Sequence, residues 1–147
     1  MDLATLDQTV TFGQKLGGVL RPGDLIALTG PLGSGKTSLT RGILAGNGFE
    51  GDVPSPSFPI VIPYFRPDVR IPIWHVDLYR VDTVADLIDL GLQDALRDGA
   101  LIVEWPQLLP TDMLQHGLQL AIEIRTNDVR HLTAIVPPSW RERWPLQ

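Results

Sequence analysis

The chain has 147 residues, 44% of them hydrophobic and 20% charged, the balance of one globular domain large enough to bury a core. It contains no cysteine, which excludes disulfides, thiolate metal sites and thiol nucleophiles. Its net charge of -5 argues against tight non-specific binding to nucleic acid, which relies on a basic surface.

Met1-Asp2-Leu3-Ala4 lacks the basic start of a secretory signal, and no apolar run approaches a membrane span, so a cytoplasmic location is expected. Residues 5–20 read as a helix, with Leu6, Val10, Gly13, Gly17 and Leu20 on one face and Thr5 or Asp7 as cap. Arg21-Pro22-Gly23-Asp24 then turns the chain into Leu25–Thr29, a short apolar run with the signature of a buried strand.

Gly30-Pro31-Leu32-Gly33-Ser34-Gly35-Lys36-Thr37 follows and fits the phosphate-loop pattern G-x-x-x-x-G-K-[ST]. Gly30, Gly33 and Gly35 allow the backbone to curl around a phosphate with its N–H groups inward. Ser38 to Leu44 continues as a helix, with Leu39 and Ile43 on one face, and Gly46-Asn47-Gly48 ends it. The start of that helix adds the positive end of its dipole. Lys36 is suited to the β- and γ-phosphates and the Thr37 hydroxyl to a magnesium ion. Strand, loop and helix in this order point to a nucleoside triphosphate rather than a chance glycine-rich turn. The candidate nucleotide-binding residues here are Gly30, Leu32, Gly33, Ser34, Gly35, Lys36, Thr37 and Ser38, and the start of the first helix is a candidate border for the adenine.

Prolines 54, 56 and 59 make Asp52–Pro59 a stiff extended loop. It is either a plain connection or a switch segment that turns Ser55 or Ser57 toward the γ-phosphate. Residues 60–65 read as a strand, Arg66-Pro67-Asp68 as a turn, and residues 71–77 as a second strand ending on Asp77. An acidic strand end is where phosphate-loop enzymes place a carboxylate near magnesium or the attacking water. His75, on the same face, has no second histidine at metal spacing and reads as packed or hydrogen-bonded.

From Asp82 the pattern is helical, with Asp82 or Thr83 as cap, a stripe of Val84, Leu87, Ile88, Leu92, Ala95 and Leu96, and Gly91 as a break. Asp86, Asp89, Asp94 and Asp98 make the other face acidic, read as solvated rather than as a docking surface. Ala100–Pro106 is another apolar strand, ending on Glu104; Trp105 reads as a core or site-wall aromatic. Of Asp77 and Glu104, one can hold magnesium while the other positions water. Leu118–Ile124 alternates as a half-buried strand and, with Leu132–Val136, forms a terminal hairpin that makes the sheet mixed. Arg130, at the start of the hairpin's second strand, is either a surface arginine or a nucleotide contact. Residues 1–138 are expected to form the α/β domain, and 139–147 a tail of open role whose Trp140 and Trp144 dock on the core or meet a partner.

Gly30–Thr37, Ser55-Pro56-Ser57-Phe58, His75-Val76-Asp77-Leu78-Tyr79-Arg80, Leu90-Gly91-Leu92 and Val103-Glu104-Trp105-Pro106 occur in the order and spacing of the TsaE (YjeE) family. The chain resembles these small bacterial ATPases of the tRNA threonylcarbamoyladenosine machinery from its first helix to its hairpin. The phosphate loop alone is unspecific; together with the D-L-Y-R and E-W-P blocks it is highly specific. The resemblance implies a P-loop α/β three-layer fold with a mixed central sheet. It also implies ATP binding with magnesium and slow hydrolysis, in support of the modification at position 37 of tRNAs reading codons that begin with A. The implied partners are a transferase subunit and its inactive paralogue, with tRNA contacted mainly indirectly. Carried over by position, Lys36 holds phosphates, Thr37 and Glu104 flank magnesium, Asp77 supports hydrolysis, and Tyr79 and Arg130 lie near the nucleotide. Family members commonly have threonine where this chain has Ser57, which leaves a switch role for the hydroxyl and a direct catalytic one in question.

Two other classes compete. A small-molecule kinase would need an arginine-bearing lid, which Arg66 and Arg70 in a short turn support poorly. An ATP-gated binding module with incidental turnover is separated from an ATPase by whether partners stimulate phosphate release. A GTPase is disfavoured by the absence of an N-K-x-D sequence.

Overall fold

The computed structural model describes residues 1–56 and 60–145. In chain order its elements are β1 (Asp2–Leu3), α1 (Leu6–Gly18), β2 (Leu25–Thr29), α2 (Lys36–Gly46), β3 (Val61–Tyr64), β4 (Ile73–Asp77), α3 (Val84–Asp89), α4 (Leu92–Asp98), β5 (Ala100–Glu104), α5 (Thr111–His116), β6 (Leu118–Ile124) and β7 (Arg130–Ile135). The strands form one sheet in the order β1-β7-β6-β2-β5-β4-β3. Its middle, β6-β2-β5-β4, is parallel, and antiparallel pairs close both edges. The sheet is mixed, and the C-terminal hairpin is β6–β7.

The apolar runs explain the layering. β5 is buried along its length and β2 at all but its last residue, as expected of parallel strands covered on both faces. Ile26 and Leu28 of β2 enter a core with Phe12, Leu16, Leu39 and Ile43 of α1 and α2. Leu25 faces the opposite core, with Leu101 and Val103 of β5, Leu87 of α3 and Leu92 of α4. Helices on both sides of one sheet give the three-layer arrangement of P-loop nucleotide hydrolases.

The face of α1 matches the sequence expectation at Gly13, Gly17 and Leu20 and departs from it at Leu6. Its buried residues are Thr9, Phe12, Gly13, Leu16 and Gly17, whereas Leu6 is 60% exposed. Glycines set the close packing of that face. A β-carbon on Gly17 would stand 2.0 Å from the Ile43 carbonyl oxygen, and one on Gly42 2.3 Å from that of Val10. α1 therefore lies backbone to backbone on α2, and Leu6 is left over the far end. Thr5 caps α1 by accepting from the Gln8 N–H.

Gly91 does divide its segment, with φ of 67° at the junction, and Thr83 caps α3 by accepting from the Asp86 N–H. The expected stripe breaks with it: Leu87 and Leu92 are buried, but Val84 and Ile88 are 60% and 71% exposed. A helix of two turns docks through a single residue, so its phase is not that of one long helix. α5 and the two-residue β1 are too short to leave a periodic signal in the sequence.

The chain after β7 packs on the α1 side of the sheet. Trp140 is fully buried, and Trp144 meets Phe12 edge-to-face with ring centroids 5.7 Å apart. Arg143 makes a two-pronged ion pair with Asp24, at 2.6 and 2.7 Å. Trp140 ends a 3-10 turn at Pro138–Trp140.

Candidate functional site

Strand order places the site. From β2 the chain runs to β3, β4 and β5 on one side of it, and from β5 it crosses back to β6 on the other; ligands of open α/β sheets bind at the carboxyl ends of strands at such a point. The phosphate loop begins there. Gly30 has φ of 151°, and a β-carbon on it would come within 2.6 Å of the Ile122 carbonyl oxygen and 2.7 Å of Ser34 Oγ. Gly35, with φ of 107°, forms the turn into α2 without a side-chain cap, and Lys36 is the first helical residue. The amino end of α2 thus opens toward the loop, the geometry that favours a bound anion.

Asp77 and Glu104 end adjacent parallel strands and stand directly opposite one another in register. Both carboxyl groups belong to buried residues. An Asp77 oxygen accepts from the Tyr79 N–H at 2.9 Å, which fixes its orientation. Glu104 Oε2 lies 2.7 Å from Nε2 of the fully buried His75. Of the two readings of His75, packed or hydrogen-bonded, the structure shows the second, but spacing along the chain does not name its partner. A partial signal is present: His75 precedes Asp77 by two residues, which puts both side chains on the face that carries Glu104.

Lys36 is buried, and its Nζ donates to the carbonyls of Gly30 and Pro31. Nζ also lies 4.9 Å from the Trp105 ring centroid. Burial pulls the Lys36 ammonium below its ordinary value of 10.5, while Glu104 and then Asp77 act in the opposite direction. Trp105, with φ of 56°, occupies a left-handed conformation that is strained for a bulky residue. Its ring packs on Tyr79 with centroids 5.0 Å apart. Arg130 reaches back across the sheet: Nε donates to the Ser34 carbonyl at 3.0 Å, Nη2 to that of Gly33 at 3.2 Å and Nη1 to that of Asp128 at 2.7 Å. It braces the loop rather than lying free on the surface.

These groups enclose one cavity of about 500 Å³, within the range of small-molecule sites. Loop residues 32–38 line one side; Asp77, Tyr79, Glu104 and Trp105 line another, and Ser55 and Arg130 complete it. Gly30 shapes the loop from beneath and is not part of the lining. Ser57 lies outside the described residues. Arg80, the last residue of the D-L-Y-R block, also lines the cavity, and so does Leu6 at the exposed start of α1, the end of that helix expected to border the nucleotide base. Helical spacing assigns Leu6 to the core because it cannot distinguish a face turned to the protein from one turned to a ligand.

The donor set suits magnesium accompanied by phosphates. Thr37 and two carboxylates offer hard oxygen ligands in one cavity. Among the described residues no group of three or more His, Asp or Glu forms a cage of its own. Magnesium in nucleotide sites takes one or two carboxylates, with substrate phosphates completing the shell. Ser34 Oγ is buried in the loop beside Gly30, with no hydrogen-bond partner among the described residues. No helix among the described residues is long and apolar enough to cross a membrane.

Comparison with known proteins matches residues 3–132 to the family model described as threonylcarbamoyl adenosine biosynthesis protein TsaE. The tRNA threonylcarbamoyladenosine biosynthesis protein TsaE of Streptomyces coelicolor is 38% identical over 90% of each chain. Its namesake in Bacillus subtilis is 34% identical over 86% of this chain and 78% of its own. A crystal structure of Bacillus subtilis YdiB superposes with a TM-score of 0.80 at 28% identity, covering 97% of this chain and 88% of that one.

Proposed function

The chain belongs to the TsaE family, and from that premise we propose that it binds and slowly hydrolyses ATP in support of tRNA threonylcarbamoyladenosine biosynthesis. The observation that carries this reading is the convergence of the phosphate loop, Lys36, Asp77 and Glu104 on one cavity. The family's role supplies the pathway; the cavity supplies the chemistry.

In this reading the loop N–H groups and the amino end of α2 hold the phosphates. Lys36 exchanges its loop carbonyls for the β- and γ-phosphate oxygens and stabilises the charge that develops during transfer. Thr37 and Glu104 would hold magnesium, which when bound neutralises phosphate charge. Asp77, kept in one orientation by the Tyr79 N–H, positions the attacking water. Tyr79 and Arg130 border the nucleotide, with Arg130 acting through the loop carbonyls it braces. Ser55 serves as a switch contact, and Ser57 is assigned the same part from its place in the sequence.

The proposed setting is the cytoplasm, with a transferase subunit and its inactive paralogue as partners that carry most of the tRNA contact. An acidic chain, at -5, is consistent with such indirect contact. The test is phosphate release from ATP by the chain alone and then with the transferase pair and tRNA. Slow release that rises with the partners is expected. Turnover indifferent to them but stimulated by a small hydroxylated metabolite would replace this reading with a kinase. Glu104→Ala should weaken the magnesium dependence of binding, and Asp77→Ala should spare binding but lower hydrolysis. Full turnover in both variants would overturn that division of roles.

A further inference from the structure

His75 has no part in the chemistry above, yet it is fully buried in a sheet whose neighbouring core positions, Ile73 and Ile102, are apolar. An imidazole at such a position loses its hydration and needs a compensating hydrogen bond. The bond it makes is to Glu104 Oε2 at 2.7 Å. A carboxylate can only accept, so Nε2 carries the hydrogen and donates it. His75 Nδ1 is buried with no hydrogen-bond partner among the described residues. A hydrogen there would be a buried donor without an acceptor, which folded proteins avoid.

We propose that His75 is the positioning residue of Glu104. Its Nε2–H holds Oε2 from within the sheet and leaves Oε1 as the oxygen available to a ligand in the cavity that Glu104 lines. A glutamate without this contact would sample several rotamers and lose that freedom on binding. The inference rests on the reading of Glu104 as the magnesium-side carboxylate. Such outer partners typically change metal affinity by about 10–100-fold.

The test uses the full chain, a non-hydrolysable ATP analogue and magnesium, with binding followed by calorimetry in the presence of chelator and then of the metal. His75→Phe keeps a ring but removes the donor; His75→Gln restores an N–H that can reach a carboxylate. The expected result is unchanged analogue affinity in chelator for all three proteins. The gain conferred by magnesium should fall about tenfold in His75→Phe and recover in part in His75→Gln. An undiminished magnesium gain in His75→Phe would overturn the proposal, as would a wild-type chain whose affinity magnesium does not raise. A second measurement needs no variant: nitrogen-15 NMR of the wild-type imidazole should show hydrogen on Nε2 and a bare Nδ1. The opposite tautomer would refute the hydrogen bond on which the proposal depends. If the wild-type chain binds no analogue, the ATP reading fails, and the tautomer then decides whether His75 holds Glu104.

Discussion

Arg143→Met is expected to destabilise the protein by about 3–5 kcal/mol, the usual consequence of leaving one charge of a buried pair without its partner. Both side chains of the Arg143–Asp24 pair are only 8% exposed. The guanidinium meets both carboxylate oxygens, at 2.6 and 2.7 Å, and donates to the Val19 carbonyl at 2.9 Å. It also lies 4.0 Å over the Trp140 ring. Methionine would replace much of the stem packing but none of the charge, so the penalty falls on Asp24. Asp24→Asn with Arg143→Met should recover a large part of the loss, because the amide oxygen can still accept from the Arg21 N–H that now reaches Asp24 at 2.7 Å. Trp140→Ala, which empties a fully buried site, should itself cost about 3–5 kcal/mol, and since Arg143 lies on that ring the two losses should not simply add. The assay is urea unfolding, in which the midpoint should fall with little change in slope. Against a total stability of about 5–15 kcal/mol, removal of residues 139–147 should leave the chain unfolded or close to it. A loss below about 1 kcal/mol for Arg143→Met, the value of an exposed pair, would show that the tail is an appendage.

Three further outcomes are expected. Gly30→Ala places a β-carbon 2.6 Å from the Ile122 carbonyl; it should cost about 1–3 kcal/mol in stability and weaken nucleotide binding, and unchanged urea and binding curves would contradict the close approach. Arg130→Leu removes the donors to the Gly33 and Ser34 carbonyls, so nucleotide affinity should fall by about tenfold, equivalent to roughly one charged hydrogen bond, with a smaller change in melting temperature. Burial raises the Tyr64 phenol above its ordinary 10.0, so the folded chain holds that proton more tightly than the unfolded chain. The associated stability is complete below pH 10.0 and is lost as pH rises through the raised value. Tyr64→Phe should flatten this alkaline decline in the urea midpoint, and an identical pH profile in the two proteins would refute it.

The phosphate loop is legible in the sequence because its chemistry is local: glycines, a lysine and a threonine at fixed offsets between a strand and a helix. Asp77 and Glu104 are legible as acidic strand ends for the same reason, and the mixed sheet follows from the alternation in residues 118–124. How far along a helix its docked face runs is not. Leu6 shares helical spacing with Gly13 and Gly17, which pack on α2, but it stands at the start of α1, before that contact, and lines the cavity instead. Val84 and Ile88 fit an apolar stripe that ends when Gly91 resets the helix axis.

Spacing along the chain determined the longer elements, the loop and the candidate chemical groups. Tertiary structure alone decided which groups meet. The strand order makes Asp77 and Glu104 neighbours and sets His75 beneath Glu104. The hairpin carries Arg130 onto loop carbonyls 96 and 97 positions away, and the tail brings Arg143 to Asp24. Periodicity reports what a residue repeats with along its own element; a hydrogen bond between distant elements depends on where the sheet and its helices bring them, which no local pattern encodes.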